Sequence, residues 1–418
     1  MFILYNFVLT LLTPIWAPWT LWRALQREGK PSWRERLGNY SIRYRKGAKR
    51  IWIHAVSVGE VAAAIPILRE LRKRLTDWEI VLTVTTSSGH KTAHDRAEGL
   101  YDHLYYFPLD VARFQMRAME RVRPKVVAIM ETELWYNFLW CAKALGAKTM
   151  LVNGRVSDRS FPRAMKLRWF YKTLLRLVDR SFMQTEKDAE RIKCLGADAP
   201  SVVGNSKFDE AVEGLDANPN YWRRELSIPE EKRVVVIGST RGEEEENFVL
   251  NALSSIDLPN VVVIHAPRHL ERVPEIEKWA SKCFVKVTLR SKGGGGDYII
   301  LDTYGELSKM YSIADVVIIG GGFANFGGQN LIQPLAHGKP VIHGPHMQNF
   351  SEVAEAALAA RASIACSSPA ELAVALQFLL GDDGLRKAMG EAAEALVQAN
   401  AGAATRYAEA IVAAATDN

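Results

Sequence analysis

The chain has 418 residues, 48% of them apolar and 24% charged, with a formal net charge of +6. That length accommodates two compact domains with full cores, and the composition argues against disordered and fibrous classes. Four scattered cysteines (Cys141, Cys194, Cys283, Cys366) with no CxxC pair argue against a disulfide framework or structural zinc, and for reduced thiols in the cytosol.

Residues 1–22, MFILYNFVLTLLTPIWAPWTLW, carry no charged side chain, whereas residues 23–50 hold ten Lys and Arg against two Glu. The apolar run is just long enough to reach across a hydrocarbon core. Pro14 and Pro18 would kink it, and Trp16, Trp19 and Trp22 stand toward its charged end, where an interfacial belt would place them. Positive charge after the run, not before it, argues against a cleaved signal peptide. A spanning helix, a helix lying in the interface and a segment packed on the protein all stay open, each with the body in the cytoplasm. Deleting residues 1–22 is expected to release the protein from membranes and leave the body folded. The rest of the chain is slightly acidic, without a basic stripe interleaved with aromatics, so nucleic acid is not expected as a partner.

Beyond residue 50, short apolar runs alternate with amphipathic stretches. The first half reads IWIHAVS (51–57), a helical EVAAAIPILRELRKRL (60–75), IVLTVTT (80–86), YDHLYYFPL (101–109), KVVAIME (125–131), AKTMLVN (147–153), FMQT (182–185) and VVG (202–204), with further helices at 111–121 and 136–144. The polar stretch 208–224 reads as a domain boundary. A second series follows with RVVVIGST (233–240), NVVVIHAP (260–267), DYIILDT (297–303), ADVVIIGGG (314–322) and PVIHGP (340–345), then an Ala-rich helical end from about residue 370. Buried strands alternating with helices predict two mostly parallel α/β domains, with ligands beyond the carboxyl ends of the strands and a cleft between the domains.

The residues that could carry chemistry sit in the turns after these strands. Glu60 follows Ser57-Val58-Gly59 at a strand-to-helix junction, where it reads equally as a general base or as a helix cap. Glu131 and Glu133 end another strand, a costly place for carboxylates unless they are used or satisfied. Arg155 and Arg159, with two serines, suit an anion, and Lys207 could meet a phosphate. In the second half, Gly238, Ser239 and Thr240 enter a helix whose acidic run 243–246 forms its first turn. Arg268 and His269 follow the next strand. The stretch GGGFANFGGQNLIQPLAHGKPVIHGP (320–345) predicts a glycine loop with useful exposed amides at Gly327 and Gly328 and a helix from near Asn330. HExxH and DxD are absent, and His90 and His94 lack an obvious third ligand, so no metal is expected.

In order, the blocks WRERLG (33–38), HAVSVGE (54–60), ETELW (131–135), NGRVSDRS (153–160), GNSKFD (204–209), GSTRGEEE (238–245), APRHLER (266–272), DTYGEL (302–307), GGQN (327–330) and GPHMQNF (344–350) resemble the 3-deoxy-D-manno-octulosonic acid (Kdo) transferases of lipopolysaccharide synthesis. The resemblance implies an α/β GT-B fold, two Rossmann-like domains facing a central cleft, with an N-terminal membrane-anchor helix. It divides the chain into an anchor and basic segment (1–45), an acceptor domain (46–212) and a CMP-sugar domain (213–418), with the last helix able to pack back on the first domain. It implies an inverting enzyme that takes Kdo from CMP-Kdo to a lipid A precursor at the cytoplasmic face of the inner membrane, with no cofactor and no active-site metal. Glu60 would be the base. Ser57, Gly59, Glu131, Glu133, Arg155 and Lys207 would serve the acceptor. Ser239, Thr240, Arg268, His269, Gly305, Glu306, Gly327, Gly328, Asn330 and Gln333 would serve the donor.

Three positions depart from the family pattern: Gln333 where glutamate is usual, Gln329 where histidine is common, and Gly322 where serine is common. Two rival readings stay open. One is a GT-B transferase using a different nucleotide sugar, and the other is a catalytically silent membrane-associated scaffold. Competition by CMP against UDP separates the first, and failure to bind any cytidine nucleotide supports the second.

Overall fold

A computed structural model describes residues 1–12, 14, 32–42, 45, 47–158, 160–212, 215–293 and 295–417. The chain forms two units, one of Met1–Asp209 with Asn400–Asn418, the other of Glu210–Ala399. Each is built on a seven-stranded parallel sheet.

The first sheet comprises β1 (Arg50–Ala55), β2 (Glu79–Val84), β3 (His103–Tyr106), β4 (Val126–Met130), β5 (Lys148–Gly154), β6 (Arg180–Met183) and β7 (Ser201–Val202). Their order is β3-β2-β1-β4-β5-β6-β7. The second comprises β8 (Arg233–Thr240), β9 (Val261–Pro267), β10 (Val287–Leu289), β11 (Tyr298–Ile300), β12 (Val316–Ile319), β13 (Val341–His343) and β14 (Ser363–Ala365), in the order β10-β11-β9-β8-β12-β13-β14. The central strands are Val- and Ile-rich and almost wholly buried, as in a parallel sheet covered by helices on both faces. Strand order reverses between β1 and β4 and again between β8 and β12. At such a switch point neighbouring loops diverge and open a crevice at the carboxyl ends of the strands.

The expected runs at 101–109 and 297–303 shrink to the four and three residues of β3 and β11. The edge strands β10 and β14 are three residues long, too short to show a period in the sequence. The Ala-rich helix Ala403–Thr416 packs on the helix Val58–Arg74 of the first unit, where Ala63, Ala64, Ala404 and Ala408 leave room for close approach. The two loops at the second switch point also lie tightly together. A Cβ on Gly320 would stand 2.6 Å from both the Ser239 carbonyl oxygen and the Thr240 Cα, which are backbone atoms with nowhere to go. Gly320→Ala should therefore cost about 1–3 kcal/mol of stability, read from the urea midpoint of the second unit.

At the N-terminus, Phe2–Leu11 forms a helix. One face lies on the first unit: Phe2 stacks on Trp140 with ring centroids 4.1 Å apart, the Tyr5 hydroxyl donates to Asp110 at 2.9 Å, and Asn6 and Asn137 exchange bonds of 2.8 and 3.0 Å. Among the described residues no helix is long and apolar enough to cross a membrane. Of the expected anchor over residues 1–22, the described residues contain this ten-residue helix, and Trp16, Pro18, Trp19 and Trp22 lie outside the described residues. Deleting the segment would remove one hydrogen-bond partner each from Asp110 and Asn137, while Asp110 keeps the Asn137 and Phe138 N–H groups, so the first unit loses contacts that the sequence did not foresee. The basic segment is also not all available to lipid. Arg50 is buried and bonded to Glu79 at 2.6 Å, and Arg36 donates to the Thr85 carbonyl at 2.7 Å.

Candidate active site

The first switch point brings together chemistry that lies far apart in sequence. Ser57 caps the helix Val58–Arg74 after β1, its hydroxyl oxygen accepting from the Glu60 N–H. Glu60 folds back so that its carboxylate accepts from the Val56 N–H at 2.7 Å and from the Ser57 hydroxyl at 3.2 Å. Of the two sequence readings of Glu60, the capping one is seen directly, since the residue closes a variant of the capping box, and the residue is also 5% exposed at the carboxyl edge of β1. Glu131 and Glu133 follow β4, the neighbouring strand across the switch point. Burial and the nearby Glu131 and Glu133 carboxylates push Glu60 up to about 8, against the pull of the Val56 N–H and the Ser57 hydroxyl. Burial, then Glu131, raises Glu133 as well.

Lys207 supplies a cation to this acidic group. Its Nζ stands 3.4 Å from Glu131 Oε1, with the lysine 5% exposed. A Cβ on Gly59 would lie 3.7 Å from the same Nζ, in ordinary van der Waals contact, so the glycine sits directly beside the ammonium. The backbone carrying Lys207 is anchored in several places. Asn153, at the end of β5 with φ of 53°, accepts from the Ser206 N–H through Oδ1, and the Ser206 hydroxyl donates to the Ala63 carbonyl. Asn205 takes a bond from its N–H to Asn400, and Asp209 caps the C-terminal helix by accepting from the Gly402 and Ala404 N–H groups. Asn153, Asn205, Ser206 and Asn400 were not among the residues singled out from sequence. The left-handed preference of Asn in an Asn-Gly pair was the one available signal. Arg155 is half-exposed, and its carbonyl accepts from the Thr132 hydroxyl between the two glutamates. Arg159 lies outside the described residues.

In the second unit the donor candidates share the carboxyl edge of the sheet, with corrections to how they act. Ser239 holds a left-handed φ of 62° at the end of β8. The buried Thr240 hydroxyl bonds His265 at 2.7 Å, and His265 in turn meets the Tyr298 hydroxyl. Arg268 and His269 are exposed after β9. Glu306 is held by Arg290 and the Thr303 hydroxyl beside the left-handed Gly305. Gly327 and Gly328 do not present exposed amides. Both are buried, Gly328 donates to the Gly321 carbonyl at 2.7 Å, and Asn349 and Met347 occupy the space where their side chains would be. Asn330 turns its Oδ1 to the Ile332 N–H, and the helix expected from it is only Ile332–Ala336, which includes Gln333. At Gly322 a Cβ would stand 2.8 Å from the Met347 sulfur, so methionine fills the place of the usual serine. Among the described residues no group of three or more His, Cys, Asp or Glu side chains is placed to hold a metal.

The fold and these sites define a glycosyltransferase of the GT-B type. Its fold is shared by the crystal structure of MurG from Acinetobacter baumannii, with a TM-score of 0.58, 14% identity, and coverage of 88% of this chain and 99% of that one. The profile described as 3-deoxy-D-manno-octulosonic-acid transferase (kdotransferase) matches residues 31–210. The 3-deoxy-D-manno-octulosonic acid transferase of Bordetella pertussis is 34% identical over 97% of this chain and 98% of its own length. A bifunctional glycosyltransferase/methyltransferase of Fusobacterium nucleatum is 34% identical over 80% of this chain, which spans about half (53%) of that protein. The chain belongs to the Kdo transferase family.

Proposed function

We propose that the protein transfers Kdo from CMP-Kdo to a lipid A precursor with inversion at the anomeric carbon. The observation that carries this reading is Glu60, a buried carboxylate raised to about 8 at the β1/β4 switch point, grouped with Glu131, Glu133 and Lys207. A primary hydroxyl of the acceptor attacks C2 of Kdo, CMP leaves with the bonding electrons, and the hydroxyl proton passes to Glu60. The base needs to be ionised, and its raised pKa gives it more affinity for the proton than an ordinary carboxylate. Lys207 balances the carboxylates and offers a donor to an acceptor phosphate. Arg268, His269 and Ser239 take the departing nucleotide, and no metal is assigned a role. Product mass after incubating full-length protein with a lipid A precursor and freshly generated CMP-Kdo tests the reading. A gain of one or more Kdo units supports it and counts the transfers. No gain beside a working transferase overturns it.

The same reading places the protein at the cytoplasmic membrane surface. The outer face of Phe2–Leu11 exposes Ile3, Phe7 and Leu11 at helical spacing, with Ile3 82% exposed. Phe170, whose ring stands 5.9 Å from Tyr5, is flanked by the exposed Leu167 and Trp169 and by the exposed cations Arg163, Lys166, Arg168, Lys172 and Arg176. An apolar face edged by tryptophan and cations suits an anionic bilayer that the helix lies in without crossing. Replacing Ile3, Phe7 and Leu11 together by serine should leave the fold intact, because their partners are not in the core. It should weaken binding to anionic phospholipid vesicles about 100-fold in sedimentation. Unchanged sedimentation would remove this face from the membrane contact.

A further inference from the structure

Glu245 is wholly buried in the first turn of the helix Glu243–Ser254, which follows β8. Its neighbour Glu246 pairs with Arg272, but Glu245 is held differently. Its Oε2 accepts from the N–H groups of Arg241 and Gly321, each at 2.7 Å, and its Oε1 from the Phe323 N–H at 3.0 Å. The Ala324 N–H adds to the set. A buried carboxylate is tolerated when its oxygens are filled in this way. These N–H groups belong to the glycine loop after β12 and to the turn after β8, the two loops that flank the second switch point. Amides of the early part of the glycine loop are thus already taken by an internal anion. Gly320 against Ser239 and Thr240, and Phe326 against Arg241 and Gly242, close the same contact from either side.

We propose that Glu245 is a positioning residue for the donor: its carboxylate ties the Ser239–Gly242 turn to the Gly320–Ala324 loop, so that the nucleotide meets a surface assembled before it arrives. The glycine loop then shapes the site while Arg268, His269 and Ser239 meet the nucleotide's charge. This rests on the proposed function only for the identity of the nucleotide.

Hydrogen exchange on the full-length protein without nucleotide tests the tie directly, because N–H groups bonded to a buried carboxylate exchange slowly. Segments 239–242 and 320–324 should be protected, and rapid exchange there in the unaltered protein overturns the proposal whether or not any variant folds. Glu245→Gln keeps the shape but turns an NH2 toward N–H groups. It should speed exchange in both segments and raise the KM for CMP-Kdo and the Kd for CMP about 10- to 100-fold, with the KM for acceptor unchanged. Glu245→Asp, which keeps the charge one methylene short, should fall between the two. A lower unfolding temperature with an unchanged donor KM would mark Glu245 as structural only and overturn the assignment. If the protein binds UDP and not CMP, the proposed donor is wrong, and the same exchange and affinity shifts measured with UDP still decide the role of Glu245.

Discussion

Glu60→Gln is expected to lower kcat by about 100-fold or more while the protein stays folded. The expectation rests on two properties of one side chain. Glutamine is accepted at this position of a capping box and retains an oxygen for the Val56 N–H, so the helix start should survive. It cannot take the acceptor's proton. The pH dependence separates this from a packing effect. With Glu60 raised to about 8, the free enzyme holds its base ionised only above that pH. In the unaltered enzyme kcat/KM should therefore climb as pH rises through about 8, and in the glutamine variant that limb should vanish.

Stability should move the other way. The folded pKa lies above the unfolded one, so the favourable contribution is complete below the unfolded value and is lost as pH rises through about 8. Above that pH the glutamine variant, free of a buried charge beside Glu131 and Glu133, should melt no lower than the parent. Near-normal turnover in Glu60→Gln would remove it from the role of base.

Lys207→Ala should cost about 1–3 kcal/mol in the first unit, because it removes the buried ammonium that pairs with the half-buried Glu131. Loss of a neighbouring cation also disfavours ionised carboxylates, so the pH–rate limb of Glu60 should shift to higher pH. Urea denaturation and a kcat/KM profile read the two effects separately. A variant as stable as the parent, with its limb unmoved, would show that the lysine does not balance this cluster in solution.

The site was legible in the sequence where chemistry and local position coincide. Glu60, Glu131 and Glu133 each follow closely on a recognisable strand, and parallel strands put those ends on one edge. Lys207 was named from its charge, but its partner could not be, since the pairing depends on Asn153, Ser206 and Asn400 drawing a loop after β7 back toward the helix after β1. The glycine loop misled for a related reason. Glycine reports backbone freedom and close approach but not which groups the freed amides bond, and here Gly328 bonds Gly321 while Glu245 takes the amides of Gly321 and Phe323. The His265 partner of Thr240 was likewise invisible, because it comes from the next strand.

By itself the sequence determined two parallel α/β halves, the turns that carry the charged groups, and membership in a family through many ordered blocks. Periodicity and residue type are properties of short segments, and burial follows them closely. The tertiary structure decided that the capping glutamate is also the one raised by its neighbours, that the first helix lies on the body through Tyr5 and Asn6, and that a carboxylate already fills the glycine loop. Those outcomes depend on hydrogen bonds and electrostatic fields between residues distant in the chain, whose strength is set by distance and desolvation, and no local pattern encodes either.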